Sequence, residues 1–477
     1  MGGAGFNGGN RPMQQMGRPG EMQAGPRQQI VPRGVAPHVS ARGVEFQTRP
    51  GGQVRQMHDS RTGMDIHHGL NGNRMVSVER ADHSRVFAER GRPGYVQRPY
   101  SFHGHDFARR TYFYHGRAYS HFYHGFGYRG MYLNVYAPGF YFGSAFYGWA
   151  YNPWAAPITF GWGWAGSPWY GYYGGYFAPY PVYPNASYWL TDYMISQDLQ
   201  SAYAAHQEAG EVDGAPYAAG GPPELTPDVK QQIADEVRNQ LALENQEAQQ
   251  NTQQQDADPG SSGIARLLND AARGKQHVFV VGTALDVVDS SQTECTLSDG
   301  DVLALQTAPP ADATAADLVV LSSKGGRECQ KRATVSVALD ALQEMQNHMR
   351  ETIDQGLQEL QSKQGTSGIP AAPSSAQLTP AVYASVAPPQ DPGVAAELQQ
   401  QTQQGDQAEK EVTSDGAQGS AVPSGAAPAT VTLGQTQDDV EGILGQPASK
   451  AILGSKVIYN YSGMKVIFKD GRVADVQ

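Results

Sequence analysis

The sequence predicts a largely disordered, low-complexity chain that carries two small α+β modules, the second a helix against a three-stranded antiparallel meander. Three observations predict it. The 477 residues include 56 Gly and 31 Pro but only 17% charged residues, so much of the length lacks the composition of a packed domain. Thirty-four of the 46 aromatic residues, with all six tryptophans, crowd into 100–189 among glycines and prolines, where Leu, Ile and Val are scarce. Regular apolar periodicity begins only near residue 188.

Residues 1–99 form an Arg/Gly/Gln-rich arm without hydrophobic periodicity, which reads as disorder because too little apolar surface is available to offset the entropy of ordering. Residues 1–130 hold 18 Arg, 8 acids and no Lys, a charge of +10 against -21 for the remainder, within a net -11. That polarity fits a basic arm meeting an anionic partner, and equally a solvated arm with no fixed partner.

The aromatic tract 100–189, exemplified by "ITFGWGWAGSPWYGYYGGYF", holds no apolar run of the roughly 18 residues that a membrane helix needs. It reads as a glycine-spaced contact surface. Helical segments fill 190–250: Leu190, Tyr193, Met194, Leu199 and Tyr203 stripe the first. Thr226 caps the second, with Pro227 at its first position and Val229, Ile233, Val237 and Leu241 at steps of four.

After a linker at 251–263, residues 264–361 read as a small α+β domain, with β-rich runs such as "HVFVVGTALDVVD" and "DLVVLSS" between turns. Its closing helix places Leu342, Met345, Met349, Ile353, Leu357 and Leu360 on one face. Residues 362–427, rich in Ala, Pro and Gln, read as a flexible linker. The last module, 428–477, opens with a helix capped by Thr436 and Asp439 and ended by Gly445 and Pro447. "KVIYNY", "MKVIFK" and "RVADV" follow as strands joined by "SG" and "DG" turns.

Gly434, Thr436, Val440, Leu444, Gly445 and Pro447, followed by strands ending in "FKDGRVADV", make this module resemble the SmpA/OmlA family, the small outer-membrane lipoprotein subunit of the bacterial β-barrel assembly machinery. The resemblance covers about a tenth of the chain. It implies a bacterial envelope setting and a binding module without an active site. The family's lipid-bearing cysteine is absent, and "PSGAAPATVTLG" stands where its first helix would be.

Cys295 and Cys329, the only cysteines, are not spaced as a metal or redox pair but can form one disulfide in an oxidising compartment. His103, His105, His115, His121 and His124 have ligand-like spacing without a carboxylate set beyond Asp106, which favours an adventitious cluster over a metal site. No phosphate loop, nucleophile elbow, zincin or dinucleotide motif appears. The expectation is a non-enzymatic envelope binding or scaffold protein, with no cofactor or metal, linked to outer-membrane assembly or to wall and surface adhesion. Its partner is another protein, an envelope polymer, or a second copy through the aromatic tract. "RRTYFYHGRAYSHFYHGFGYRG" supports an alternative, an Arg/aromatic nucleic-acid-binding protein that forms condensates. The N-terminal residues lack the apolar stretch of a secretory signal, so the envelope placement requires an upstream signal, and a cytoplasmic one follows otherwise.

Overall fold

The computed structural model describes residues 32–40, 42–209, 224–255, 258–325, 328–373 and 377–419. In the C-terminal segment it describes 436, 440, 447, 449–453, 456–461, 464–469 and 472–476. The chain divides into two units, Met1–Val412 and Thr413–Gln477.

The first unit overturns the expectation of disorder. Ten antiparallel strands follow one another as a meander: β1 (Ala36–Val39), β2 (Glu45–Thr48), β3 (Val54–Asp59), β4 (Met64–His68), β5 (Arg74–Glu79), β6 (Arg85–Glu89), β7 (Gly94–Phe102), β8 (His105–Tyr114), β9 (Arg117–Tyr128) and β10 (Met131–Ala137). From residue 36 onward the predicted arm is therefore sheet. Its apolar face is sparse, with Met57, Ile66, Val76, Val78, Val86 and Val96 one or two to a strand. Strand pairing satisfies the backbone and distant segments supply the rest of the cover.

The longest hairpins close on two-residue turns whose residues both take positive φ: His103-Gly104 (48°, 81°), His115-Gly116 (46°, 78°) and Arg129-Gly130 (50°, 76°). Flanking pairs Phe102 with His105, Tyr114 with Arg117 and Tyr128 with Met131 set the register. This backbone matches the type I′ turn, whose twist suits a tight hairpin.

A short strand β11 (Phe140–Tyr141) and helices α1 (Ser144–Tyr151) and α2 (Pro168–Tyr173) then carry the aromatic tract. Helices α3 (Ala186–Ala209), α4 (Pro227–Thr252), α5 (Pro259–Ser262) and α6 (Ile264–Ala272) follow. Thr226 Oγ1 accepts from the Val229 N–H at 3.5 Å at the start of α4. Val229, Ile233, Val237 and Leu241 are buried along its length.

A second antiparallel sheet holds six strands, β12 (His277–Val280), β13 (Leu285–Asp289), β14 (Glu294–Leu297), β15 (Val302–Leu305), β16 (Ala315–Ser322) and β17 (Thr334–Ala338), in the order β12-β15-β16-β17-β13-β14. Helix α7 (Leu339–Lys363) packs on β10, β12 and α3. It buries Leu342, Met349, Ile353, Leu357 and Leu360, and with them Asn347, Arg350 and Asp354 on its other sides.

The sequence-defined region 264–361 thus shares its core with the aromatic tract. Val278, Val302, Met349 and Ile353 lie in one cluster with Phe146, Tyr176 and Trp189. Nor is 362–427 a bare linker: β18 (Thr379–Pro380) pairs with β11, and α8 (Val394–Gly419) follows. From α8, Val394 and Leu398 pack beside Val86 and Val96, while Ala408 and Val412 pack with Met57, Ile66 and Val76. A Gln/Ala-rich helix with four well-placed apolar residues is enough to cover a sheet whose own apolar face is narrow.

In the second unit, β19 (Ser449–Leu453), β20 (Lys456–Tyr461), β21 (Met464–Lys469) and β22 (Arg472–Val476) form a four-stranded antiparallel meander, one strand more than expected. The extra strand, "SKAIL", pairs with β20 from Ser449 opposite Asn460 to Leu453 opposite Lys456. Val457 faces Phe468 and Tyr459 faces Val466 across the central hairpin. Val440 is helical and buried with Tyr459, Val466, Phe468 and Val473.

Candidate functional site

Most rings of the aromatic tract form the core, which corrects the picture of the whole tract as a contact surface. Phe146, Tyr176, Phe177, Tyr183 and Trp189 are fully buried. Short helices and glycine turns fold the chain back on itself, so that rings stack on rings with Asp192 Oδ2 accepting from the Tyr183 hydroxyl at 2.8 Å. Desolvation in this layer raises the Tyr183 hydroxyl far above the range in which it would ionise, with the Asp192 charge adding to the effect.

One part of the tract remains at the surface. Trp164 stacks on Trp162 at 4.4 Å between centroids, Trp162 on Trp189 at 4.7 Å, and Trp189 on Tyr193 at 5.4 Å. Trp189 is the buried anchor of this ladder, and Trp162 and Trp164 are half-buried. Trp162 Nε1 donates to the Tyr183 hydroxyl at 2.6 Å, which fixes its ring plane. Phe160 meets Trp162 edge-on at 4.8 Å, and Trp169 meets Trp164 at 5.3 Å.

The glycines around these rings are exposed, and at Gly161, Gly163, Gly166 and Gly171 an added Cβ would meet nothing within 4 Å. Of the four, only Gly163 has a positive φ, 72°. At Gly161, Gly166 and Gly171 neither backbone conformation nor crowding demands glycine, and their small size keeps this surface open beside the half-buried Trp162 and Trp164. No Asp, Glu, Lys or Arg occurs between Arg129 and Asp192, and charge reaches this part of the tract from α7, where Lys363 Nζ lies 5.7 Å from the Phe160 ring and 2.7 Å from Glu359 Oε1.

The histidines singled out by spacing are dispersed. His103 and His115 are the first residues of two hairpin turns, where histidine tolerates a left-handed backbone. His121 Nδ1 lies 3.0 Å from Glu351 Oε2. His105 and His124 come within 5.5 Å of each other beside a cleft of about 470 Å³ that Asp106 and Asp258 also line. Among the described residues no group of three or more His, Cys, Asp or Glu side chains is placed to hold a metal ion.

The arginines of the basic stretch meet carboxylates far along the chain. Arg49 and Arg55 bond Glu294 at 2.8 and 2.6 Å, Arg74 bonds Glu409 at 2.9 Å, Arg98 bonds Asp391 at 2.7 Å, and Arg110 bonds Glu344 at 2.7 Å. Arg110 is buried, with its guanidinium 3.9 Å from the Tyr123 ring. These arginines of the basic stretch are thus internal wiring, and their guanidinium groups hold carboxylates of the acidic second half onto the sheet.

Cys295 and Cys329 are bonded, with 5.0 Å between their Cα atoms, and join β14 to the segment after β16. In the C-terminal motif, Thr436 forms a bridge with Arg472, Val440 is in the small core, and Pro447 is half-buried; Gly434, Leu444 and Gly445 lie outside the described residues. Among the described residues no helix is long and apolar enough to cross a membrane. Sequence reasoning missed the His348–Asp198 pair, whose Nε2 and Oδ1 are 2.6 Å apart, and a buried amine-carboxylate cluster around Lys324. Both join residues from different elements, so no local spacing signals them.

Compared with protein-family models, curated proteins and solved structures, the chain shows no match.

Proposed function

We infer that this chain is a non-enzymatic binding protein of the bacterial envelope, and that the aromatic face around Trp162 and Trp164 is its contact surface for neutral wall polysaccharide. The observation that carries the reading is the combination of stacked indoles with glycines that crowding does not require. Sugar rings present flat C–H faces and hydroxyl edges, and a rigid aromatic platform with tyrosines at its rim offers apolar contact and hydrogen bonding together. Pre-stacking Trp164, Trp162 and Trp189 lowers the entropy lost on binding.

The envelope setting draws support from the disulfide, since such bonds persist in oxidising compartments, and from the resemblance of the C-terminal module to an outer-membrane assembly lipoprotein. Nucleic acid is the weaker reading because so many arginines of the basic stretch already contact carboxylates within the fold. Co-sedimentation of the full chain with purified wall sacculi, against variants that cover the indole faces, tests the proposal.

A further inference from the structure

We propose that Lys324 and Asp301 condense into an intramolecular isopeptide bond, with Glu328 as the group that carries the protons. Lys324 Nζ lies 2.5 Å from Asp301 Oδ1, and the two side chains are 2% and 0% exposed. Glu328 Oε1 stands 3.8 Å from the same nitrogen. The Tyr176 ring is 4.8 Å from Nζ and closes the site to water on that side.

Each partner is held. The Ser298 N–H donates to Asp301 Oδ2 at 2.8 Å, leaving Oδ1 for the amine. Glu328 accepts from the Lys324 N–H at 2.6 Å and the Ser323 hydroxyl at 3.1 Å through Oε2, and from the Ser298 hydroxyl through Oε1. Glu328 is bridged to Thr296 and is followed directly by the disulfide-bonded Cys329, so its backbone is tied to β14.

A nitrogen 2.5 Å from a carboxylate oxygen sits about 3–3.5 Å from the carboxyl carbon, the separation of a near-attack arrangement. Burial pushes the Asp301 carboxyl up to about 7, so near neutral pH it is available in the protonated form from which a hydroxyl can leave. Burial lowers the Lys324 pKa, but the two neighbouring carboxylates outweigh it and hold the side chain as an ammonium, which must give up a proton before it attacks.

The step balances without a co-reactant. Glu328 accepts a proton from the Nζ ammonium, and the freed electron pair forms the N–Cγ bond to the protonated Asp301 carboxyl. Glu328 passes that proton to the departing hydroxyl, and it then takes the second proton that the nitrogen sheds in becoming an amide. The Cγ–O bond breaks and water leaves. An ammonium and a carboxylic acid become one amide, one water and one proton, which Glu328 carries away.

Lys230 and Asp192 supply an internal comparison. They are also 2.5 Å apart and buried, but the other contacts of Lys230 Nζ are the Ala178 carbonyl, at 2.7 Å, and the rings of Tyr180 and Phe177, not a second carboxylate. That pair is expected to remain non-covalent.

The test is mass spectrometry of the full chain, reduced, alkylated and digested with trypsin in denaturant. The expected result is one internally looped peptide spanning 276–327, uncleaved after Lys324 and lighter than its linear sequence by one water. Glu328→Gln should give linear peptides cleaved at Lys324. Linear peptides from the wild-type chain would overturn the proposal, and that measurement depends on no variant. A bond that persists in Glu328→Gln, or one between Lys230 and Asp192, would overturn the role given to Glu328.

Discussion

Arg350 on α7 donates to Glu247 on α4 across 2.6 Å, with both side chains shielded from solvent and a second bond from Arg350 to the Tyr136 carbonyl at 3.0 Å. One guanidinium therefore ties two helices to the edge strand of the large sheet. Breaking a buried pair by removing one partner strands the other charge, so Arg350→Met is expected to lose about 3–5 kcal/mol of stability. Arg350→Met with Glu247→Leu should recover a large part of that loss. Urea unfolding of the two variants checks it; equal losses would show that the pair is not coupled.

The hairpin turns make a separate prediction about backbone strain. Gly116 has a φ of 78° with open space around it, so a substitution there is penalised by conformation alone. Gly116→Val should destabilise by about 1–2 kcal/mol, the cost of a left-handed backbone for an L-residue. His115→Asn should be neutral or stabilising, because Asn-Gly is the preferred pair for this turn. Thermal melts that ranked the two variants in the opposite order would refute the turn assignment.

His348 and Asp198 set an alkaline limb to stability. Although burial alone would lower it, the Asp198 charge raises His348 from 6.5 to about 9. The folded value exceeds the unfolded one, so its contribution is complete below about pH 6.5 and is lost as pH rises through about 9. Burial also raises the Asp198 carboxyl, which opposes part of the gain, and the net effect is smaller than the histidine shift by itself suggests. The wild-type chain should lose stability from pH 7 to pH 9.5 more steeply than His348→Gln. Parallel curves for the two proteins would remove His348 from this role.

How much of this was legible in the sequence depends on where each element finds its cover. Helix α4 announces itself because Thr226, Pro227 and the four-step stripe from Val229 to Leu241 are local signals. The ten-stranded sheet does not, because its buried face carries Arg55 and Asp59 beside Met57, and Glu294, far along the chain, pairs with Arg55. Such a face reads as polar until its partners are in place. The repeated "HG" and "RG" dipeptides between aromatic runs were the available signal, since they mark two-residue hairpin loops.

Helix α8 was hidden for a related reason: Val394, Leu398, Ala408 and Val412 are too few to define a stripe, yet they fit a sheet already half closed. The aromatic tract was legible as a composition but not as a layer. Its buried rings and its surface ladder have the same local sequence, and only the folded chain separates Trp189 from Trp162 and Trp164.

The measurement that tests the account most directly is sedimentation of the full chain with purified wall sacculi, comparing wild type with Gly161→Lys, Gly166→Lys and Trp162→Ala/Trp164→Ala. Both glycine sites have open space and ordinary backbone conformations, so the lysine variants should fold normally while placing bulk and charge beside the indole faces. Binding by the wild type should depend only weakly on salt, as expected where ring stacking rather than ion pairing holds the ligand. The lysine variants should bind more weakly, and the double tryptophan variant by about 30-fold or more, the ~2 kcal/mol typical of a binding hot spot. Failure of the wild type to sediment, or full binding by all three variants, would contradict the assignment of this face.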